Sequence, residues 1–229
     1  KAKTEADGRQ SREVTQKWWF EQLEGFAGKW PNSEDAPDAV VQLAISYELM
    51  GRLDDAKAWY EQLAKNYSST EGGSKAQGAL RRLTLTGNKL QLSGKTLYQK
   101  DLSSAQYNGK VLLVVFWASY AQPFTADLPA IQAVYDKYNK DGFEILGVNM
   151  DGDINSTLSD YLKAHGIKWQ SLREAPKETG MQPGDFGYGI VSVPTMFLVN
   201  KQGIVEGGIT TGNLDFAVDA LLKGKKLES

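Results

Sequence analysis

Residues 107–118 read Tyr-Asn-Gly-Lys-Val-Leu-Leu-Val-Val-Phe-Trp-Ala. Within them Val111 to Phe116 is an unbroken β-branched and aromatic run. A run with no polar alternation suits a strand buried on both faces of a sheet. Downstream the pattern predicts a helix over about Phe124 to Asn139, with Pro129 as a kink. Phe143 to Asn149 reads as a second strand. Asn155 or Ser156 is the expected cap of a helix that runs to His165 and stops at Gly166. Thr195 to Asn200 reads as a third strand, and the turn Asn200 to Gly203 leads into a hairpin partner over Ile204 to Ile209. A last helix is expected from Leu214 to Leu222. The order β-α-β-α, hairpin, α combines a parallel crossover with an antiparallel edge, an α/β fold with a mixed sheet flanked by helices.

Upstream the periodicity changes. Residues 1–11 are polar and unpatterned and read as a flexible tail. Four helices are predicted over about Glu13 to Ala27, Ser33 to Met50, Asp54 to Tyr67 and Ser74 to Thr84. Leu43, Ala44, Tyr47, Gly51, Ala56 and Tyr60 follow the large–small–large pattern of a tetratricopeptide-like hairpin, about one repeat long. An ordinary helical hairpin remains the other reading. The chain thus divides into a tail (1–11), an all-α domain (12–90), an α/β domain (91–224) and a short tail (225–229).

The composition narrows the chemistry. The chain has 229 residues, 41% of them hydrophobic, enough to build a core. The net charge of −2 lacks the basic footprint of a nucleic-acid binder. No apolar run reaches the roughly 18 residues of a membrane span. There are no cysteines, which excludes disulfides, thiolate metal sites and cysteine nucleophiles. A single histidine excludes multi-histidine metal sites. No cofactor is implied. The chain opens at Lys1 without Met, the pattern expected of a mature chain that has lost a signal or an upstream anchor.

Two motifs carry a family resemblance. One is the 107–118 stretch, preceded by Gly94-Lys-Thr. The other is Tyr188-Gly-Ile-Val-Ser-Val-Pro-Thr-Met-Phe-Leu-Val199. Over about Leu92 to Leu222 the chain resembles the thioredoxin-like superfamily, most closely the extracytoplasmic TlpA and ResA type within the redoxin (AhpC/TSA) group. The resemblance implies a thioredoxin-like fold, an extracytoplasmic location, thiol–disulfide oxidoreduction, and a cis bond at Val193–Pro194. It also implies a Trp-Cys-x-x-Cys turn after the strand. This chain reads Trp117-Ala-Ser-Tyr-Ala-Gln-Pro-Phe124 instead. Ala121 stands at the attacking position and Phe124 at the resolving one. Disulfide exchange needs a thiolate, and neither a methyl nor a phenyl group supplies one.

Three readings stay open at this level. The first is a degenerate, redox-inactive protein that holds a protein or peptide partner through Trp117, Tyr120, Ala121, Phe124, Val193 and Pro194, through the helical domain, or through both. In it the proline loop pairs with an extended segment and the aromatics add apolar surface. In the second, the natural chain carries cysteines at 121 and 124. In the third, the α/β domain is a structural spacer whose aromatics fill space once lined by sulfur. Other features are less eventful. Asp151-Gly-Asp153-Ile-Asn155 imitates a calcium loop but lacks its glycine (Ser156) and its glutamate (Leu162). His165 suits a helix C-terminus. The long segment 173–188 precedes the proline loop and reads as a mobile or functional excursion.

Overall fold

The computed structural model describes residues 2–151, 156–173 and 187–227, with side chains from residue 14 in the first helix and from residue 158 in the helix that begins at Ser156. It divides into two compact units, Lys1–Leu83 and Thr84–Ser229.

The first unit is helical: α1 (Ala2–Lys29), α2 (Ala36–Leu49), α3 (Leu53–Asn66) and α4 (Glu71–Leu83). Helix α1 starts at Ala2, so the polar stretch expected to be a tail is helical. It is rich in Ala, Lys, Glu, Gln and Arg, and intrinsic propensity acts without an apolar stripe. Pro37 sits in the first turn of α2, where its missing N–H costs nothing. Gly51, at φ 74°, takes the left-handed turn after it. Leu43, Ala44, Ala56 and Leu63 have no exposed surface, and Tyr47 and Tyr60 are buried beside them. Two alanines thus let α2 and α3 pack closely. Helix α4 begins three residues earlier than the periodicity implies, because Thr70 Oγ1 accepts the Gly73 N–H at 3.1 Å and caps the first turn. A Cβ on Gly73 would lie 2.1 Å from the Tyr67 carbonyl oxygen.

One buried ion pair crosses this unit. Arg82 Nη2 donates to Glu48 Oε2 at 2.9 Å, and Tyr60 Oη donates to the same oxygen at 2.8 Å. Burial, then the Glu48 charge, raises the Tyr60 pKa and keeps the phenol protonated as a donor.

The second unit is a seven-stranded mixed sheet with helices. Its elements are β1 (Ser93–Thr96), β2 (Asp101–Ser103), a 3-10 turn (Ser104–Tyr107), β3 (Val111–Trp117), α5 (Gln122–Tyr138), β4 (Phe143–Asn149), α6 (Ser156–Ala164), β5 (Gln170–Arg173), β6 (Thr195–Val199), β7 (Val205–Gly208) and α7 (Thr211–Leu222). The strand order is β2-β1-β5-β4-β3-β6-β7. Strand β3 is central, parallel to β4 and antiparallel to β6. All seven of its residues are buried. Alternation along the strand divides them between two cores. Val111, Leu113, Val115 and Trp117 pack with Phe124, Leu128 and Ile131 of α5 and with Leu214, Val218 and Leu221 of α7. Leu112, Val114 and Phe116 pack with Leu85, Leu90, Leu92, Tyr188 and Phe197.

The segment 84–90 belongs to this second unit rather than to the helices. Gly87 N–H donates to the Val205 carbonyl and Leu90 N–H to the Gly203 carbonyl, while Leu85 and Leu90 enter the sheet's core. Pro129 lies inside α5, which runs through it. The cap expected at Asn155 or Ser156 falls outside the described residues. Among the described residues no helix is long and apolar enough to cross a membrane.

Replacing Arg82 with Met strands the Glu48 carboxylate among helices that bury it. The expected loss is about 3–5 kcal/mol of stability, measured by urea denaturation followed by far-UV circular dichroism.

Candidate functional site

The C-terminal end of β3 gathers the residues of interest. Phe116 is in register with Thr195. Trp117 therefore ends its strand beside Pro194, and the Val193–Pro194 peptide is cis. The chain then turns. Ala121 N–H donates to the Ala118 carbonyl at 3.1 Å, and Ala121 becomes the residue that precedes α5. Ser119 N–H donates to Asp151 Oδ1 at 2.9 Å. The other oxygen of that carboxylate accepts from Asn149 Nδ2 at 2.9 Å, and Arg173 Nη2 donates to the Asp151 carbonyl at 3.1 Å. Asn149, Asp151 and Arg173 are all buried. A polar cluster at the ends of β4 and β5 thus fixes the turn that follows β3.

Beneath the turn lies an aromatic stack. The Trp117 ring lies 5.0 Å from Phe124, with 29° between the planes. On Tyr161 the corresponding values are 6.0 Å and 21°. Tyr161 in turn stacks on His165 at 4.0 Å, and its hydroxyl meets Thr125 Oγ1 at 2.8 Å. Trp117 Nε1–H donates to Ser171 Oγ at 3.2 Å.

The six residues singled out in the sequence lie on the elements meeting at this end of the sheet, but they do not form one surface. Tyr120 is 71% exposed. Ala121 is 8% exposed, and Val193 and Pro194 are half-buried. Trp117 and Phe124 have no exposed surface at all, so they offer nothing to a partner. Helical periodicity explains Phe124: with Leu128 and Ile131 it forms the inner stripe of α5. Trp117 ends a strand buried on both faces.

Sequence reasoning missed the supporting groups Asn149, Asp151, Tyr161, Ser171 and Arg173, as well as Gly147. Asp151 was visible only as the first residue of the calcium-like motif. Its carboxylate instead accepts N–H groups, while Asp153 and Asn155 lie outside the described residues. So do residues 174–186 of the long segment before the proline loop. Among the described residues no group of three or more His, Asp or Glu could hold a metal ion.

Chemically the site has a turn, a half-buried proline loop and one exposed phenol, with no sulfur anywhere in the chain. It is a thioredoxin-like fold without its dithiol. The AhpC/TSA family model matches residues 86–207, more than half of the chain, and the chain belongs to that family. It is 28% identical over 115 residues to the thiol-disulfide oxidoreductase ResA of Bacillus anthracis, covering 50% of this chain and 60% of that one. It is 28% identical over 117 residues to the sporulation thiol-disulfide oxidoreductase A of Bacillus subtilis (49% and 66%). The matches thus span less than two thirds of these relatives' length. Among solved structures, the thioredoxin domain of a thiol-disulfide oxidoreductase from Bacteroides vulgatus superimposes with a TM-score of 0.52 at 21% identity, covering 60% of this chain and 97% of that one. Within this family the chain is a form without cysteines.

Gly147, in the middle of β4, makes the buried Trp117–Ser171 contact possible. A Cβ there would lie 2.2 Å from Ser171 Oγ and 2.8 Å from Trp117 Nε1. Gly147→Ala is expected to cost about 1–3 kcal/mol, as overpacking does, and to shift Trp117 fluorescence. Unchanged thermal and spectral behaviour would contradict this packing.

Proposed function

We propose that the chain is a redox-inactive member of its family that holds an extended polypeptide segment against the proline loop, with Tyr120 as the aromatic contact. The supporting observation is the contrast within one turn. The positions of the two missing thiols are an almost covered methyl (Ala121) and a buried ring (Phe124), while Tyr120, immediately before the first of them, stands 71% exposed. Its turn is held by the Ser119–Asp151 hydrogen bond. An exposed aromatic on a fixed turn loses little conformational entropy on binding, which is why tyrosine is frequent at contact centres. Val193 and Pro194 are half-buried, and the backbone of a proline loop suits strand-like pairing with main-chain hydrogen bonds.

The relatives are named as thiol-disulfide oxidoreductases, and that activity uses thiolates. This chain keeps their scaffold without the reactive atoms, so binding without exchange is what remains for this end of the sheet. The resemblance to the ResA-type relatives supports a location outside the cytoplasm, where the partner would be an exported polypeptide. The helical unit, with its tetratricopeptide-like hairpin, supplies a second candidate contact region.

A phage-displayed library of extended peptides tests the reading. Selected peptides should lose about tenfold or more in affinity for Tyr120→Ala, recover with Tyr120→Phe, and leave the melting temperature unchanged. Peptides that bind Tyr120→Ala as tightly as the natural chain would reject Tyr120 as the contact.

A further inference from the structure

At the opposite end of β3 the second unit carries a cleft of about 230 Å³. Its walls are the segment 89–91, the 3-10 turn at Ser104–Tyr107 and the turn between β6 and β7. Leu90, Leu112 and Val199 are buried residues that line it. Lys89, Asn108 and Lys110 are exposed residues that line it as well, and no Asp or Glu does. That is notable in a chain with 28 acidic residues and a net charge of −2.

The two lysines differ. Lys110 Nζ is 2.8 Å from Glu144 Oε1, so its charge is balanced. Lys89 has no ion-pair or side-chain hydrogen-bond partner among the described residues. The rim therefore carries one uncompensated positive charge. Tyr107 also lines the cleft. Burial, then the charge of Glu144, pushes its hydroxyl up to about 12, so it stays a protonated donor at neutral pH.

The walls are fixed before any ligand arrives. Leu90 N–H donates to the Gly203 carbonyl at 3.0 Å, and Gly109 N–H to the Lys201 carbonyl at 2.8 Å. Ser104 Oγ donates to the Leu90 carbonyl at 3.2 Å and accepts from Leu92 N–H at 3.1 Å. A cleft set in this way costs a ligand little reorganisation.

We propose that this cleft binds a small organic monoanion: one carboxylate, on an apolar body, with about ten non-hydrogen atoms in all. The apolar body lies over Leu90, Leu112 and Val199, and the carboxylate faces Lys89. A bare inorganic anion leaves the apolar floor wet, and a neutral molecule leaves the ammonium unpaired. The site is separate from the peptide-binding edge and does not depend on it.

Amide NMR titration of the full chain with benzoate tests this, with benzyl alcohol and inorganic phosphate as controls. Benzoate should give saturable shifts confined to residues 89–92, 104–112 and 199–204. Benzyl alcohol and phosphate should each bind about tenfold more weakly or worse. Lys89→Gln should weaken benzoate by a similar factor, and added salt should weaken it further. Ala105→Phe, which places a ring at the mouth of the cleft, should abolish the shifts without changing the fold's amide pattern elsewhere. Absence of saturable shifts, equal binding of benzyl alcohol, equal binding of phosphate, or indifference to Lys89→Gln would each overturn the proposal.

Discussion

The packing of the Phe124 ring on the Trp117 indole holds this end of the sheet together. It joins the last residue of the central strand to the first turn of α5, and Tyr161 of α6 stacks on the same indole. Aromatic pairs of this kind are worth about 0.5–1.5 kcal/mol beyond the area they bury. Their geometry also sets tight limits nearby. The indole N–H needs Ser171, and Ser171 can approach only because Gly147 has no side chain. Each contact presupposes the next, so the position that would carry a resolving thiol in a dithiol turn is here part of a packed core.

That substitution changes what the turn can do. A thiol at the start of a helix is activated by its surroundings and exposed to its substrate. An alanine and a buried phenyl ring have neither property. The turn has polar support of its own: the Asp151 carboxylate fixes Ser119, and Asn149 and Arg173 gather around it. The scaffold holds this loop in place and carries no sulfur for thiol–disulfide exchange. The exposed phenol of Tyr120 is what such a loop now presents.

Much of this was legible in the sequence, for physical reasons. The run Val111–Phe116 suited a strand buried on both faces, and it is the centre of the sheet. The two motifs at Trp117 and Pro194 identified the thioredoxin-like fold. Strands β1, β2 and β5 escaped detection because they are short: β1 and β2 form a small hairpin of three paired positions, and β5 pairs with segments distant in the chain. Helix α7 begins at Thr211, earlier than its apolar positions imply, because Thr210 and Asn213 cap each other. Side-chain direction was the larger omission. Spacing placed Phe124 near the turn, but only the packing of α5 against the sheet shows that it points inward. The roles of Asp151 and Arg173 were hidden for the same reason, since a buried polar cluster is assembled from strand ends far apart in the chain.

The proposed function has packing, not dithiol chemistry, at this end of the fold. Reduction of insulin by dithiothreitol, followed by turbidity, tests it most directly. The account predicts the same rate with and without the protein. Acceleration by the purified chain would contradict it.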